Sequence, residues 1–393
     1  MANPPNRALL PTGLQDVLAP DAAHEAAMVE HLLGTFATWG YQRVKPPLVE
    51  FEHSLLEGAG AAMSNETFRL MDPVSQSMIG IRTDMTLQIA RIAASRLKED
   101  PRPLRLSYAG DVLRVRGSQL RPERQFVQVG GELIGAAGPA ADTEVIAMAV
   151  RALRAIGLDH LSVDLTFPTL ISSLYQALEI GGEQEERLRS ALDSKDRNAV
   201  REALADASDA KRLFLALLEA TGPAEAGLAI LDNAALPQGP RKMVDHLVDV
   251  ASRLRDAVPN LALTLDPVEY RGFEYHTGIG FTIYRNGTRG EIGAGGRYLA
   301  GYGFGERATE PATGFTLFLD TIIRSLRAPQ APPQVYAPYG MSLEAMEKLR
   351  ADGTVVVAGL EPEDDPEADA RHLGCQQIIK DGVPRNLAAE GSG

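Results

Sequence analysis

Apolar residues early in the chain recur at helical spacing. Met28, Leu32, Leu33, Phe36 and Trp39 fall three or four positions apart, which puts them on one side of a helix. The spacing predicts a helix from Pro20-Asp21 to Gly40, where glycine is a natural stop. A short strand, Tyr41 to Val44, then leads into Pro46-Pro47. Proline cannot donate to a ladder, so this pair suits a strand end or a sheet edge. Two longer runs, Leu104 to Val115 and Arg124 to Gly135, carry alternating apolar residues. They predict an antiparallel pair with one side on a core. The connection between them, 116–123, is polar and basic. A helix is predicted from Asp142 to Ile156, capped by Asp142 and stopped by Gly157. His160 to Leu165 reads as the next strand.

The character changes between about residues 169 and 258. Glu186, Arg187, Arg189, Asp193, Lys195, Asp196, Arg197 and Arg201 sit on expected helix faces, and aromatics are few. Mixed charges of this kind describe a solvated helical insertion. Strand signals return at Leu261 to Leu265 and continue to about Ile292, with an Asn286-Gly287 turn. A helix is predicted from Ala312 to Leu326. Pro329, Pro332 and Pro333 form a linker, and the remainder alternates short strands (Thr354 to Ala358, Gln377 to Ile379) with helices. The expected organisation is a core in two parts, 1–168 and 259–328, interrupted by an insertion, 169–258, and followed by a small α/β unit, 334–393. No internal repeat is visible.

Composition narrows the class. At 393 residues there is room for one large core and a smaller domain. No run of about 18 apolar residues exists to span a bilayer. Met1 to Pro11 reads as a polar lead and not a signal peptide. The single cysteine, Cys375, fits a reducing cytosol, so a cytoplasmic protein is expected. One cysteine and seven scattered histidines give no metal cluster, and no cofactor is expected. A net charge of −13 argues against broad binding to a phosphate backbone, which needs a basic face.

The chemistry lies in five stretches. The first is the helix and strand ending at Pro46-Pro47. The second is Ile81-Arg-Thr-Asp-Met-Thr86. The third is Asp111-Val-Leu-Arg-Val-Arg116, a loop, then Gln125-Phe-Val-Gln-Val-Gly-Gly-Glu132. The fourth runs from Arg271 to Gly278 and the fifth from Gly293 to Tyr298. Any one alone is weak. In this order, from about Leu10 to Leu326, they resemble the catalytic core of class II aminoacyl-tRNA synthetases, specifically the histidyl branch. The resemblance implies an α+β fold: an antiparallel sheet flanked by helices, with a helical insertion and a small C-terminal α/β unit. It also implies a pocket for a zwitterionic amino acid. Asp84, Thr86 and Gln128 match the family's contacts to the α-amino group, and Glu132 matches its acceptor for imidazole. Arg114 and Arg271 match its cations for the α-carboxylate, a pairing that a guanidinium's planar fork favours. Tyr275, His276 and Tyr298 are expected on the walls. The glycines at 293, 295 and 296 are expected to let the backbone approach a ligand.

Plainer readings stand beside these. Asp84 could be a helix cap, Arg114 and Arg116 surface residues, and Gly293 to Gly296 a turn or bulge. No Gly-x-Gly-x-x-Gly opens a helix there, so a dinucleotide site is not indicated.

Departures from the synthetase pattern point to function. The family's third motif ends in a helix whose arginine clamps ATP. Here that helix is read as Gly314 to Thr321, and Thr321 occupies the arginine's place. Arg116 replaces the second motif's acid. His276 replaces the second tyrosine of the histidine segment. The C-terminal unit is shorter than the family's anticodon-binding domain. This combination resembles the regulatory subunits of ATP phosphoribosyltransferase, the histidyl-synthetase paralogues. That resemblance implies no catalytic residues, a short-form catalytic subunit as partner, histidine as effector, and a homodimeric core within a hetero-oligomer. Leu33, Phe36 and Trp39 are candidates for contact across that dimer, with the intramolecular core as the other reading. An active histidyl-tRNA synthetase and a tRNA- or histidine-sensing module remain the alternatives.

Overall fold

A computed structural model describes residues 9–56, 63–117, 121–205, 207–269, 276–301, 309–326 and 332–387. The chain divides into two units, 1–327 and 328–393.

The first unit opens with α1 (Asp21–Thr38), β1 (Gln42–Arg43), β2 (Val49–Phe51), α2 (Glu52–Leu56), β3 (Arg69–Met71), β4 (Met78–Ile81) and α3 (Thr86–Ser95). The long strands β5 (Leu104–Leu113) and β6 (Gln125–Ile134) follow, then α4 (Pro139–Ala155) and β7 (Leu161–Thr166). Next come α5 (Thr169–Ala177), α6 (Gly182–Asp193), α7 (Arg197–Ala203), α8 (Ser208–Glu219), β8 (Gly222–Pro223), α9 (Ala224–Asp232) and α10 (Gln238–Ala257). The unit closes with β9 (Ala262–Asp266), β10 (Gly280–Arg285), β11 (Gly293–Ala300), β12 (Glu310–Phe318) and α11 (Leu319–Ser325).

Among the described residues, nine strands form one sheet in the order β1-β5-β6-β12-β11-β10-β7-β9-β8. Neighbours run antiparallel except β1 with β5 and β7 with β9. The alternation along 104–135 becomes the β5–β6 pair, with Leu104 opposite Ile134 and Leu113 opposite Gln125. Because side chains alternate across a strand, β6 serves two cores. Val129 and Leu133 join Phe315 and Leu317 of β12 beneath α1 and α4. Phe126 lies on the opposite side with Tyr108, Tyr298 and Phe318, packed against Met85 and Ile89 around α3. A separate three-stranded sheet, β2-β4-β3, lies beside this core.

α1 stops two residues before Gly40, whose φ of +82° turns the chain. Leu33 and Phe36, the candidates for contact between subunits, are buried within the chain itself. Phe36 meets the Phe315 ring edge-on at 5.3 Å. Trp39 is half-buried, with the Arg151 guanidinium 5.9 Å from its ring. Asp142 does not cap α4. The helix starts at Pro139, a residue suited to a first turn, and Asp142 is wholly buried one turn in. The expected helix from Ala312 is also corrected. Residues 310–318 form β12, laced between β6 and β11, and α11 begins only at Leu319. Thr313, Phe315, Thr316 and Phe318 favour a strand, and pairing on both sides overrides the helical spacing of their apolar neighbours.

The helices α5 to α10 bury one side each in the same core as the sheet. α10 shows the pattern: Val244, Leu247, Val250, Ala251 and Leu254 face inward, while Asp249 and Arg253 pair at 2.8 Å outside. Among the described residues no helix is long and apolar enough to cross a membrane.

The second unit contains β13 (Gln334–Ala337), α12 (Leu343–Ala351), β14 (Val355–Ala358), α13 (Pro366–His372), β15 (Gln377–Lys380) and β16 (Val383–Asn386). Its four-stranded sheet runs β14-β13-β15-β16, parallel except for the last pair. Ser342 and Asp365 cap its helices by accepting backbone N–H groups.

Candidate functional site

Register places the site. Glu132 of β6 pairs with Gly314 of β12, which pairs with Gly296 of β11. Paired residues share a sheet side, so this row is a carboxylate followed by two bare positions. The Glu132 carboxylate lies across Gly314, where a Cβ would sit 1.7 Å from Oε2. The His276 ring lies across Gly296, where a Cβ would sit 2.4 Å from its Cδ2. Along β6, Gln128 points to the same side as Glu132. α3 covers them, and its first turn supplies Thr86, with Asp84 just ahead.

Asp84, Thr86, Gln128, Glu132 and Tyr298 form one network. Tyr298 donates to Glu132 Oε2 at 2.9 Å, and Tyr108 donates to Oε1 at 3.3 Å. The Tyr108 hydroxyl also meets Thr316 Oγ1 at 2.9 Å. Gln128 donates from Nε2 to Asp84 Oδ2 at 2.9 Å and accepts from the Met85 amide at 3.1 Å. Asp84 Oδ1 accepts from the Thr86 amide at 2.8 Å. Asp84 thus accepts the first amide of α3 and faces the network, while the N-cap position itself is Met85 and has no side-chain cap.

Glu132 is 1% exposed. Burial raises its pKa to about 8, and the nearby Asp84 charge adds to the rise. Hydrogen bonds from Tyr298, Thr86 and Tyr108 oppose it. At neutral pH the carboxyl therefore mostly carries a proton. A cation or strong donor placed beside it would draw that proton off.

Arg114 follows β5 directly. Burial lowers its pKa, while Asp84 favours its charge. Its Nε is buried with no hydrogen-bond partner among the described residues, and its guanidinium lies 5.2 Å from the Phe126 ring centroid. His276 is buried, on the same side of the sheet as Glu132. Arg271 and Tyr275 lie outside the described residues. Arg116 is exposed.

The glycine segment does not leave room for a ligand in the way expected. It is the interior of β11. A Cβ on Gly295 would meet the Gly314 carbonyl at 2.2 Å and the Phe281 ring at 2.7 Å. One on Gly293 would meet Thr316 and Leu317 at 2.7 Å. These glycines admit neighbouring strands and, at Gly296, the His276 ring.

Sequence reasoning missed a neighbouring buried cluster. Arg121, in the basic connection, is 7% exposed. Its guanidinium lies 3.8 Å from the Phe318 ring centroid and 4.9 Å from that of Phe126. Glu291 and Asp320 hold it, each at 3.3 Å. Thr321 follows in the first turn of α11, buried, with its hydroxyl 3.3 Å from Arg324 Nη2. The only sequence signal was the basic character of 116–123.

An acceptor cluster over a mostly antiparallel sheet, an arginine after β5 and a helix after β12 define a class II synthetase-like protein of the histidyl type. The fold is similar to that of the histidyl-tRNA synthetase from Nostoc sp. PCC 7120, with a TM-score of 0.76, 19% identity, and 95% of this chain and 91% of that one covered. It is also similar to a Bacillus halodurans protein described as an ATP phosphoribosyltransferase regulatory subunit/histidyl-tRNA synthetase, with a TM-score of 0.82, 27% identity, and 96% and 99% covered. The histidyl-tRNA synthetase family profile matches residues 13–322. An ATP phosphoribosyltransferase regulatory subunit from Paramagnetospirillum magneticum is 49% identical over 384 residues, covering 98% of this chain and 99% of the relative. The chain belongs to the family of ATP phosphoribosyltransferase regulatory subunits, built on the histidyl-tRNA synthetase fold.

Proposed function

We propose that this chain is a regulatory subunit without chemistry of its own, required by a short-form ATP phosphoribosyltransferase catalytic subunit. In this reading it carries histidine feedback onto the first step of histidine biosynthesis, in the cytoplasm, as a homodimeric core within a hetero-oligomer. The supporting observation is a contrast on one side of the sheet. The acceptors around Glu132 are retained and hydrogen-bonded. At the start of α11, Thr321 offers no fixed charge, and Arg121 already covers the aromatic rings beside it.

The retained half suits free histidine. Asp84, Thr86 and Gln128 offer oxygens to an ammonium group. Glu132 faces a ring N–H, and Tyr298 holds its carboxylate. Arg114, whose Nε has no hydrogen-bond partner among the described residues, supplies a cation for the α-carboxylate, with Arg271 as a second. His276 completes the wall, and the family resemblance assigns Tyr275 the same role. Histidine then acts by binding one of two arrangements of the assembly more tightly. Coupling of that kind is typically about 1–3 kcal/mol. The helices between β7 and β9 act as an insertion in the core, and no cofactor takes part.

Reconstitution tests this. The catalytic subunit alone should be nearly inactive, mixing should restore turnover, and histidine should suppress it. Glu132→Gln combined with Arg114→Ala should leave activation intact and weaken the suppression. Unchanged inhibition in that double variant would place the effector site elsewhere.

A further inference from the structure

Directly behind the pocket, across the sheet, lies a buried charged cluster that the proposed function does not use. Asp142 of α4 is fully buried. It accepts from Arg297 of β11 in two-pronged geometry, at 2.9 Å from Nη2 and 3.2 Å from Nε. It also meets His246 Nε2 of α10 at 2.7 Å. Arg297 gives two further N–H groups to the turn after β6, Nη1 to the Ala136 carbonyl at 2.9 Å and Nη2 to that of Gly138 at 3.2 Å. The guanidinium is therefore well satisfied, and its orientation is fixed by two helices and a turn.

What Arg297 holds in turn is the pocket wall. Its carbonyl accepts the Thr277 amide at 2.8 Å, and its own amide donates to the Ile279 carbonyl at 2.8 Å. Its side chain also lies against Gly278, where a Cβ would come within 2.9 Å of Cδ. The segment after His276 thus hydrogen-bonds to the Arg297 backbone and packs on its side chain. The next residue along β11 is Tyr298, the donor to Glu132. A shift of Arg297 would move two walls of the pocket and the end of the strand that carries Glu132.

We propose that Asp142, Arg297 and His246 are positioning residues for the pocket, so that its affinity for an amino-acid ligand is set partly from α10. This rests on reading the Glu132 site as the histidine pocket. His246 is the informative member. Its side chain is 21% exposed, and it sits on a helix remote in sequence from the pocket walls. A purely structural role would cost stability in proportion to lost packing and leave ligand affinity alone.

The test uses the full chain with His246→Ala and His246→Gln, and with Arg297→Lys as the severe case. Hydrogen exchange at the Thr277 and Arg297 amides reads the seating without any ligand, and calorimetry with histidine reads the pocket. His246→Ala should speed exchange at both amides and weaken histidine binding by about fivefold, with glutamine recovering most of both effects through its own N–H donor. If exchange is unchanged in His246→Ala and Arg297→Lys, the positioning role is wrong. If exchange rises but histidine affinity stays at the wild-type value, the link to affinity is wrong. If the wild type binds no histidine while exchange still responds, the seating stands and the pocket reading fails.

Discussion

The Arg121 guanidinium lies over Phe318, 3.8 Å from the ring centroid, with Glu291 and Asp320 paired to it. A buried cation is tolerated because it has both a π-face and two carboxylates. Truncation would leave Glu291 with one cation fewer, whereas Asp320 keeps Arg324 at 3.0 Å. Arg121→Ala is therefore expected to destabilise the chain by about 2 kcal/mol. Arg121→Lys should recover only part, since an ammonium cannot lie flat on the ring. Urea unfolding monitored by circular dichroism measures both. A midpoint unchanged in Arg121→Ala would mean that the contact contributes nothing.

Glu132 makes stability depend on pH. Its pKa is raised by burial, from 4.5 to about 8 in the folded chain. Between those values the folded state holds a proton that the unfolded chain has released. Its contribution is thus complete below about pH 4.5 and is lost as pH rises through about 8, at up to about 1.4 kcal/mol per pH unit. Glu132→Gln keeps the shape and removes the titration. Over pH 5 to 8 the wild type should lose stability relative to this variant. Parallel stability curves would contradict the buried, protonated carboxyl.

Gly314 is the position where the pocket and the sheet compete for space. A methyl there would sit 1.7 Å from Glu132 Oε2. The carboxyl group is held by Tyr298 and Tyr108, so it cannot swing aside without breaking both bonds. Gly314→Ala should cost about 3 kcal/mol, at the upper end for overpacking, and abolish calorimetric binding of histidine. A variant as stable as the wild type would show that Glu132 has another place to go.

The parts legible from sequence are those in which local pattern and tertiary environment agree. The alternation over 104–135 specifies the β5–β6 pair, and Asp84, Thr86, Gln128, Glu132 and Tyr298 do meet. Residues 312–326 misled because Ala312, Phe315, Leu319, Ile322 and Ile323 also fit a helical spacing. Pairing with β6 and β11 decided the matter for the first half. Asp142 resembled a cap because its partner, Arg297, is 155 positions away. Arg121 carried no local pattern at all, and its carboxylates lie 170 and 199 positions along the chain. Long-range ion pairs are invisible to periodicity, and here they hold both Arg121 over its two rings and Arg297 behind the pocket.

Aminoacyl-adenylate formation is not expected of this site. Forming an aminoacyl-adenylate requires a triphosphate held by fixed cations, which typically contribute several kcal/mol each to the transition state. Thr321 is 2% exposed and has only a hydroxyl to offer. The neighbouring rings are already covered by Arg121. Wild-type chain should therefore show no histidine-dependent ATP–pyrophosphate exchange near enzymatic rates, on the order of 1 per second. Restoring the cation alone should not rescue it. An arginine at 321 would enter a buried position beside Asp320 while Arg121 still covered Phe126 and Phe318, so Thr321→Arg should remain inactive and lose stability. The double variant Thr321→Arg with Arg121→Ala removes both obstacles. If Thr321→Arg by itself gave exchange above background, Arg121 over those rings would be no obstacle to nucleotide.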